Sequence, residues 1–204
     1  MNEDKVQLEF DIPALQRGDR NEFARLVEAY SGPIYRLALK MLQNQQDAED
    51  ILQESFIKAY NALPKFESRS KLSTWLYRIA TNEALMFLRR KRPDQISVEQ
   101  PSEDDDDRTP LEIVDWCCLP EVELISDEAR LTLEKSTAAL PESLRVVFLL
   151  RDIEGLSTLE TSEVLDISES AVKTRLSRAR LRLREKMSKY YGERVRIAKE
   201  RGDL

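Results

Sequence analysis

Between Pro93 and Leu124 the chain reads PDQISVEQPSEDDDDRTPLEIVDWCCLPEVEL, and this stretch restricts the possible folds more than any other. It holds four prolines (Pro93, Pro101, Pro110, Pro120), eleven acids and one base, Arg108. Few apolar positions repeat, so neither a helical face nor a strand face can be traced through it. Like charges at this density repel, and a segment with so little to bury reads as a linker. A chain of 204 residues divided in this way holds two small domains of under about 100 residues each. The net charge of −6 divides into −10 in this segment and +4 in the rest. The average charge therefore conceals a basic remainder.

Helical periodicity dominates on both sides of the linker, and no strand alternation is evident. Asp19-Arg-Asn-Glu22 is a capping-box-like start for FARLVEAY, in which Phe23, Leu26, Val27 and Tyr30 recur at helical spacing. Ser31-Gly32-Pro33 is expected to break that helix, with IYRLALKML forming a second. A third is expected from Asp47 to about Leu63, before Pro64, and a fourth from Leu72 to Arg92, before Pro93. Beyond the linker, helices are expected over 126–139, over 141–154 with Gly155 as the stop, over 157–165, and from Ser168 to about Tyr191. The expected fold class is all-α: two small helical domains joined by a flexible acidic linker, the second containing a helix-turn-helix.

Several functions are excluded by composition. No run of about 18 apolar residues is present to span a membrane, and MNEDKVQLEF lacks a signal pattern, so a cytoplasmic protein is expected. The absence of histidine excludes a His-based triad or dyad and a histidine-containing zinc site. Adjacent Cys117 and Cys118 make neither a relaxed disulfide nor a tetrahedral metal site. No cofactor, metal site or catalytic residue is expected.

The most specific local pattern closes the chain. Ser157-Thr-Leu-Glu160 is a capping box, Asp166-Ile167 a tight turn, and Ser168 the cap of a second helix, which is helix-turn-helix spacing. At about 100° per residue, Val172, Leu176, Ala179, Leu183, Met187 and Tyr190 form an inward stripe. Lys173, Thr174, Ser177, Arg178 and Arg184 lie roughly opposite. Donors near the helix N-terminus can meet base edges, and the guanidinium groups further along can reach phosphates. Thr161 stands where such motifs carry an apolar residue, which predicts looser packing of the first helix.

Two further faces are distinctive. In DAEDILQESFIKAYNAL, Leu52, Phe56, Ala59 and Leu63 are expected to be buried, with Asp47, Asp50 and Glu54 nearly opposite and Gln53 to one side. Such a face is either merely solvated or pairs with arginines on a partner protein. In KLSTWLYRIATNEALMFLRRKR, Leu76, Ala80, Ala84 and Phe87 turn inward, while Trp75, Arg78, Asn82 and Arg89 make a second stripe. The preceding loop adds Phe66, Arg69 and Lys71. Aromatic, cationic and amide groups together suit single-stranded DNA, although Trp75 and Tyr77 are equally plausible in a core.

With these residues in view, the chain resembles a bacterial RNA polymerase sigma factor of the extracytoplasmic-function group. The resemblance runs from about Asp19 to Tyr190 and rests on five ordered motifs: GDRNEFARLVEAY, DAEDILQESFIKAY, STWLYRIATNEA, LPESLRVVFLLRDIEGLS and SAVKTRLSRARLRL. It implies that residues 1–93 bind core polymerase at its clamp helices through Asp47, Asp50, Gln53 and Glu54. The same domain would capture the separated strand of the −10 element through Phe66, Arg69, Lys71, Trp75, Arg78, Asn82 and Arg89. Residues 126–191 would contact the polymerase flap and read the double-stranded −35 element through Lys173, Thr174, Arg175, Ser177 and Arg178, ahead of a short tail over 192–204. It further implies that the linker over 94–125 threads the polymerase RNA path, where Asp104, Asp105, Asp106 and Asp107 stand in for RNA or simply keep the tether extended. An anti-sigma factor is a further partner class. LETSEVL departs from the small and apolar residues usual in its helix.

Two other readings compete. A helix-turn-helix regulator acting without polymerase would account for residues 141–190 but leave the acidic face and the Trp-Arg-Asn stripe without a role. A metal-dependent nuclease at Asp104–Asp107 fits poorly, because consecutive aspartates in a Pro-flanked linker have no fixed geometry.

Overall fold

The computed structural model describes residues 9–91 and 127–201, with side chains over 9–91 and 128–190. All regular structure among them is helical. The chain divides into two compact bodies.

In the first body a short α1 (Ile12–Gln16) starts at Asp11, whose side chain accepts from the Ala14 N–H at 2.9 Å. The chain then turns at Gly18, where φ is +79° and a glycine is favoured. Helix α2 (Arg20–Leu42) begins as expected at Asp19, which accepts from the N–H groups of Asn21 and Glu22. The box is only half formed. Glu22 turns away and is nearly buried, accepting from the Asp11 N–H at 2.9 Å and pairing with Arg25 at 2.7 Å, so it ties the N-terminal segment to α2.

The expected break at Pro33 does not occur, since α2 runs through it as one helix of 23 residues. Leu26, Ile34, Leu37, Ala38 and Met41 are all buried on one side, in phase across the proline. Burying each of the four large side chains is worth roughly 1.5–3 kcal/mol, which together offsets the roughly 3 kcal/mol that an interior proline costs. The helix ends at Gln43 in the left-handed conformation, and Asn44 caps α3 (Gln45–Ala62) by accepting from the Asp47 N–H. Asp47 therefore sits in the first turn of α3 rather than at its start.

A 3₁₀ turn over Leu63–Lys65 follows, then α4 (Leu72–Lys91), close to the expected span. The core gathers Leu15, Leu26, Ile34, Phe56, Ala59, Leu63, Leu76 and Ala80. Tyr77 is buried in α4 and is a core residue, while Phe87 is half-buried. The first body thus has four α-helices, although two expected helices have fused and α1 was unforeseen.

The second body begins with α5 (Asp127–Ala138), and Arg145 of α6 donates to the Ala138 carbonyl at 2.9 Å. Helix α6 (Glu142–Phe148) is capped by Pro141 and is buried nearly all round. It does not continue as an α-helix to residue 154 but passes into a π-helical turn over Leu149–Ile153. Gly155 stops it as expected, at φ +73°.

The capping box at Ser157 is complete: Glu160 accepts from the Ser157 N–H at 2.7 Å, and Ser157 accepts from the Glu160 N–H at 3.1 Å. Helix α7 (Thr158–Leu165) ends at Asp166 in the left-handed region, with the Ile167 N–H reaching the Ser162 carbonyl at 3.2 Å. This is a Schellman closure with aspartate in the usual glycine position. Ser168 caps α8 by accepting from Ala171 N–H at 3.2 Å. Helix α8 (Glu169–Arg201) runs ten residues past the expected end near Tyr191, through a sequence rich in good helix formers.

Candidate functional site

Three surfaces present the residues singled out by the sequence. The first is the outward face of α3. Asp50, Gln53 and Glu54 are exposed, and Asp47 is half-buried. Beneath them Ala48, Ile51, Ser55, Phe56 and Ala59 are buried, while Leu52 is only half-buried.

Ile57 lies on the same face, 56% exposed, and sequence reading missed it. It follows Asp50 by seven residues, so helical spacing alone could have found it. Lys58 borders the face, 2.6 Å from Glu83 of α4 and 3.6 Å from Glu54. The hydrogen bond to Glu83 is the main cause holding its pKa above the ordinary lysine value. Lys58 is held more closely by Glu83 than by Glu54, whose half-exposed carboxylate is only loosely paired.

The second surface is the loop before α4 and the stripe along it. Arg69, Lys71, Arg78, Asn82 and Arg89 are all exposed, and Arg69 pairs with Glu67 at 2.6 Å. Phe66 departs from the expectation: it is 6% exposed and belongs to the core, with its carbonyl accepting from the Gln16 side chain at 2.8 Å. Trp75 lies half-buried against it, the ring centroids 5.0 Å apart and tilted by 47°. Phe66 therefore backs Trp75 instead of offering its own ring to a ligand. Met86, 40% exposed, adds an apolar group to the stripe between Asn82 and Arg89 and was not foreseen.

The third surface is α8. Val172, Leu176, Ala179 and Leu183 are buried as expected, with Met187 and Tyr190 half-buried. Lys173, Thr174 and Arg184 are exposed, and Arg175, Ser177 and Arg178 are half-buried. The Thr174 hydroxyl donates to the Ser170 carbonyl at 3.0 Å, which leaves its lone pairs for an incoming donor. Beside this face Arg180 grips Asp152 of the π-helical turn through two hydrogen bonds of 2.9 and 2.7 Å. Thr161 does not loosen α7, for it is fully buried, but its hydroxyl has no partner.

Among the described residues no cluster of three or more cysteines, aspartates and glutamates could hold a metal ion, and no helix is long and apolar enough to cross a membrane. Asp104–Asp107 lie outside the described residues.

A basic helix-turn-helix in one helical body, with an acidic face and a cationic stripe on the other, defines the class: a DNA-binding protein of transcription with a protein partner. Comparison with known proteins narrows it. The family model of sigma-70 region 2 matches residues 26–93, and that of sigma-70 region 4 matches residues 130–183. The ECF RNA polymerase sigma factor SigW of Bacillus subtilis is 38% identical over 86% of this chain and 94% of its own. The RNA polymerase sigma-H factor of Pseudomonas aeruginosa is 36% identical over 83% of this chain and 88% of its own. Among solved structures, CnrH in complex with the cytosolic domain of CnrY shares the fold, with a TM-score of 0.61 and 23% identity over 85% of this chain and 92% of that one. The sigma factor RpoE of Bartonella quintana, solved with the anti-sigma factor NepR, also has a TM-score of 0.61, at 21% identity over 82% of this chain and 98% of that one.

The chain belongs to the extracytoplasmic-function group of bacterial RNA polymerase sigma factors. It is an alternative sigma factor, which binds RNA polymerase and supplies promoter recognition in transcription initiation.

Proposed function

We propose that the two bodies divide promoter recognition between them, the first holding polymerase and the melted −10 strand and the second reading the −35 duplex. The observation that carries this division is the separation of charge on the described surfaces. Exposed carboxylates gather on α3, and exposed cations gather on α4 and α8.

Asp47, Asp50, Gln53 and Glu54, joined by Ile57, form the polymerase-binding face, with the clamp helices of core as their target. Carboxylates pair bidentately with arginines, and an exposed isoleucine among them adds the apolar contact that interfaces need. Trp75, braced by Phe66, offers the exposed part of its ring surface for base stacking, worth roughly 1–3 kcal/mol per base. Arg69, Lys71, Arg78 and Arg89 neutralise phosphates, and Asn82 can bond a base edge. These contacts oppose the few kcal/mol that unstacking a base costs, so only well-matched promoters open readily.

On α8, Lys173, Thr174, Arg175, Ser177 and Arg178 enter the major groove of the −35 element, while the remainder of the second body meets the polymerase flap. The protein works by binding, and the phosphodiester chemistry belongs to polymerase. It acts where polymerase and chromosome are, in the cytoplasm at the nucleoid. An anti-sigma factor that covers these same surfaces is a further partner consistent with membership of the family.

The test is transcription in vitro by polymerase reconstituted with variants. Glu54→Lys is expected to weaken core binding, and Arg178→Ala to weaken −35 recognition with core binding intact. Unchanged transcription by both variants would overturn the proposal.

A further inference from the structure

Five arginines follow one another along the first half of α8: Arg175, Arg178, Arg180, Arg182 and Arg184. Arg180 is held by a carboxylate of the same body. The Arg180 Nε donates to Asp152 Oδ2 at 2.9 Å and its Nη2 to Oδ1 at 2.7 Å, so both carboxylate oxygens are held by one guanidinium. The pair is partly withdrawn from water, with Arg180 37% and Asp152 22% exposed, which reduces its screening relative to a fully exposed pair. This fork-on-fork geometry fixes orientation as well as distance, and lysine cannot reproduce it.

The partner's location gives the pair its meaning. Asp152 lies in the π-helical turn Leu149–Ile153, immediately before the Gly155 bend that launches α7. That bend is itself braced. The Glu154 N–H reaches the Leu149 carbonyl at 2.9 Å, the Leu156 N–H reaches the Leu150 carbonyl at 2.9 Å, and Arg151 donates to the Leu156 carbonyl. Asp152 is therefore a fixed point on the scaffold.

Arg180 follows Lys173 by seven residues, two turns along the same flank of α8, at the border between the buried stripe and the outward face. A bond from there to the scaffold resists rotation of α8 about its axis and sliding along it. Rotation by a few tens of degrees would carry Thr174 and Ser177 away from a base edge, while leaving the long basic side chains within reach of phosphates.

We propose that Arg180 and Asp152 form a positioning pair that sets the roll of the recognition helix, so that Arg180 contributes to −35 sequence discrimination without touching DNA. The proposal rests on the reading that α8 enters the −35 major groove. It removes Arg180 from the phosphate-contacting set that a count of arginines would suggest.

The test uses holoenzyme reconstituted with the full chain. Affinities for a matched promoter fragment and for one with a substituted −35 element are measured across a range of potassium chloride concentrations. Asp152→Asn, Arg180→Ala and the double variant are each expected to lose about tenfold of the matched-to-mismatched ratio, the double no more than either single. The salt slope should be unchanged in all three, because no phosphate contact is lost. Arg180→Lys keeps the charge and loses the fork, so it should also lose discrimination at unchanged slope. The exchanged pair, Asp152→Arg with Arg180→Asp, should recover at least half of the loss.

A different pattern would overturn the proposal. If Arg180→Ala flattens the salt slope by about 0.9 while Asp152→Asn leaves or improves affinity, Arg180 is a phosphate contact. If all variants keep the wild-type ratio, the pair has no role in recognition. Melting temperatures recorded in parallel exclude partial unfolding as the cause. Arg178→Ala serves as the control: if it too leaves −35 binding unchanged, the failure lies with the reading of α8 and not with the pair.

Discussion

Replacing Thr161 by valine should stabilise the second body, and the expected size follows from its surroundings. Thr161 sits in α7 with no exposed surface, and its Oγ1 has no hydrogen-bond partner. The backbone N–H of the same residue is satisfied by the Ser157 carbonyl at 2.9 Å, so the defect is confined to the hydroxyl. An unpaired buried hydroxyl costs about 1–3 kcal/mol. Valine keeps the branched shape, removes that penalty, and adds a buried methyl worth about 0.8 kcal/mol. Helix propensities of the two residues are nearly equal and do not offset the gain.

The expected stabilisation is therefore roughly 2–4 kcal/mol, and each kcal/mol should raise Tm by about 4–8 °C for a domain of this size. Calorimetry of the full chain gives the shift, and amide hydrogen exchange along α7 assigns it to the second body. Thr161→Ser is the paired control: it keeps the hydroxyl, loses the methyl and should be destabilised by about 1 kcal/mol. The outward residues of α8 are untouched, so −35 affinity should not change. A valine variant that melts as low as the serine variant would mean that the hydroxyl is bonded, and the reasoning would fail.

Other perturbations address the remaining surfaces. Ile57→Ala removes an exposed side chain, so stability should be unchanged while competition assays for core polymerase show about tenfold weaker binding; equal affinity would remove Ile57 from that face. Trp75→Ala should slow open-complex formation, scored by permanganate reactivity of the −10 strand, whereas Phe66→Leu should lower stability with a smaller effect on opening. Glu83→Gln removes the partner that raises the Lys58 pKa. A raised folded-state value gives a contribution that is complete below the unfolded lysine pKa and is lost as pH rises through the folded one. The variant should therefore melt lower than wild type at neutral pH and converge with it only under strongly alkaline conditions. Changing Asp104–Asp107 to asparagine should alter the ratio of abortive to full-length transcripts if the linker occupies the RNA path, and leave it unchanged if the acids only extend the tether.

The helix boundaries show which local signals can be trusted. Both ends of α7 follow from side chains that bond their own backbone: Ser157 and Glu160 at the start, and the Asp166 turn followed by the Ser168 cap of α8. Such signals act within a few residues, although at α2 Glu22 is drawn away to Asp11 and Arg25 and only the Asp19 half of the box forms. Pro33 is the opposite case. Its local signal is strong, yet the buried stripe at Leu26, Ile34, Leu37 and Met41 keeps helical phase on both sides of it, and burial outweighs one lost hydrogen bond. The unbroken phase is legible in the sequence itself and outweighs the proline.

The functional surfaces divide along a similar line. Charged residues on α3, α4 and α8 were readable because an ionised side chain keeps its charge in or near water, at an exposed or half-buried position. Aromatic residues were not, since Phe66 and Tyr77 have side chains equally suited to stacking on a base or filling a core, and both proved buried. Arg180 was the least legible of all. Its partner Asp152 is 28 residues away and belongs to a π-helical turn, whose altered hydrogen-bond step leaves no mark on apolar periodicity. In an arginine-rich helix every guanidinium has the same local sequence argument for DNA. The bidentate bond to Asp152 is what sets Arg180 apart, and the proposed positioning role rests on it.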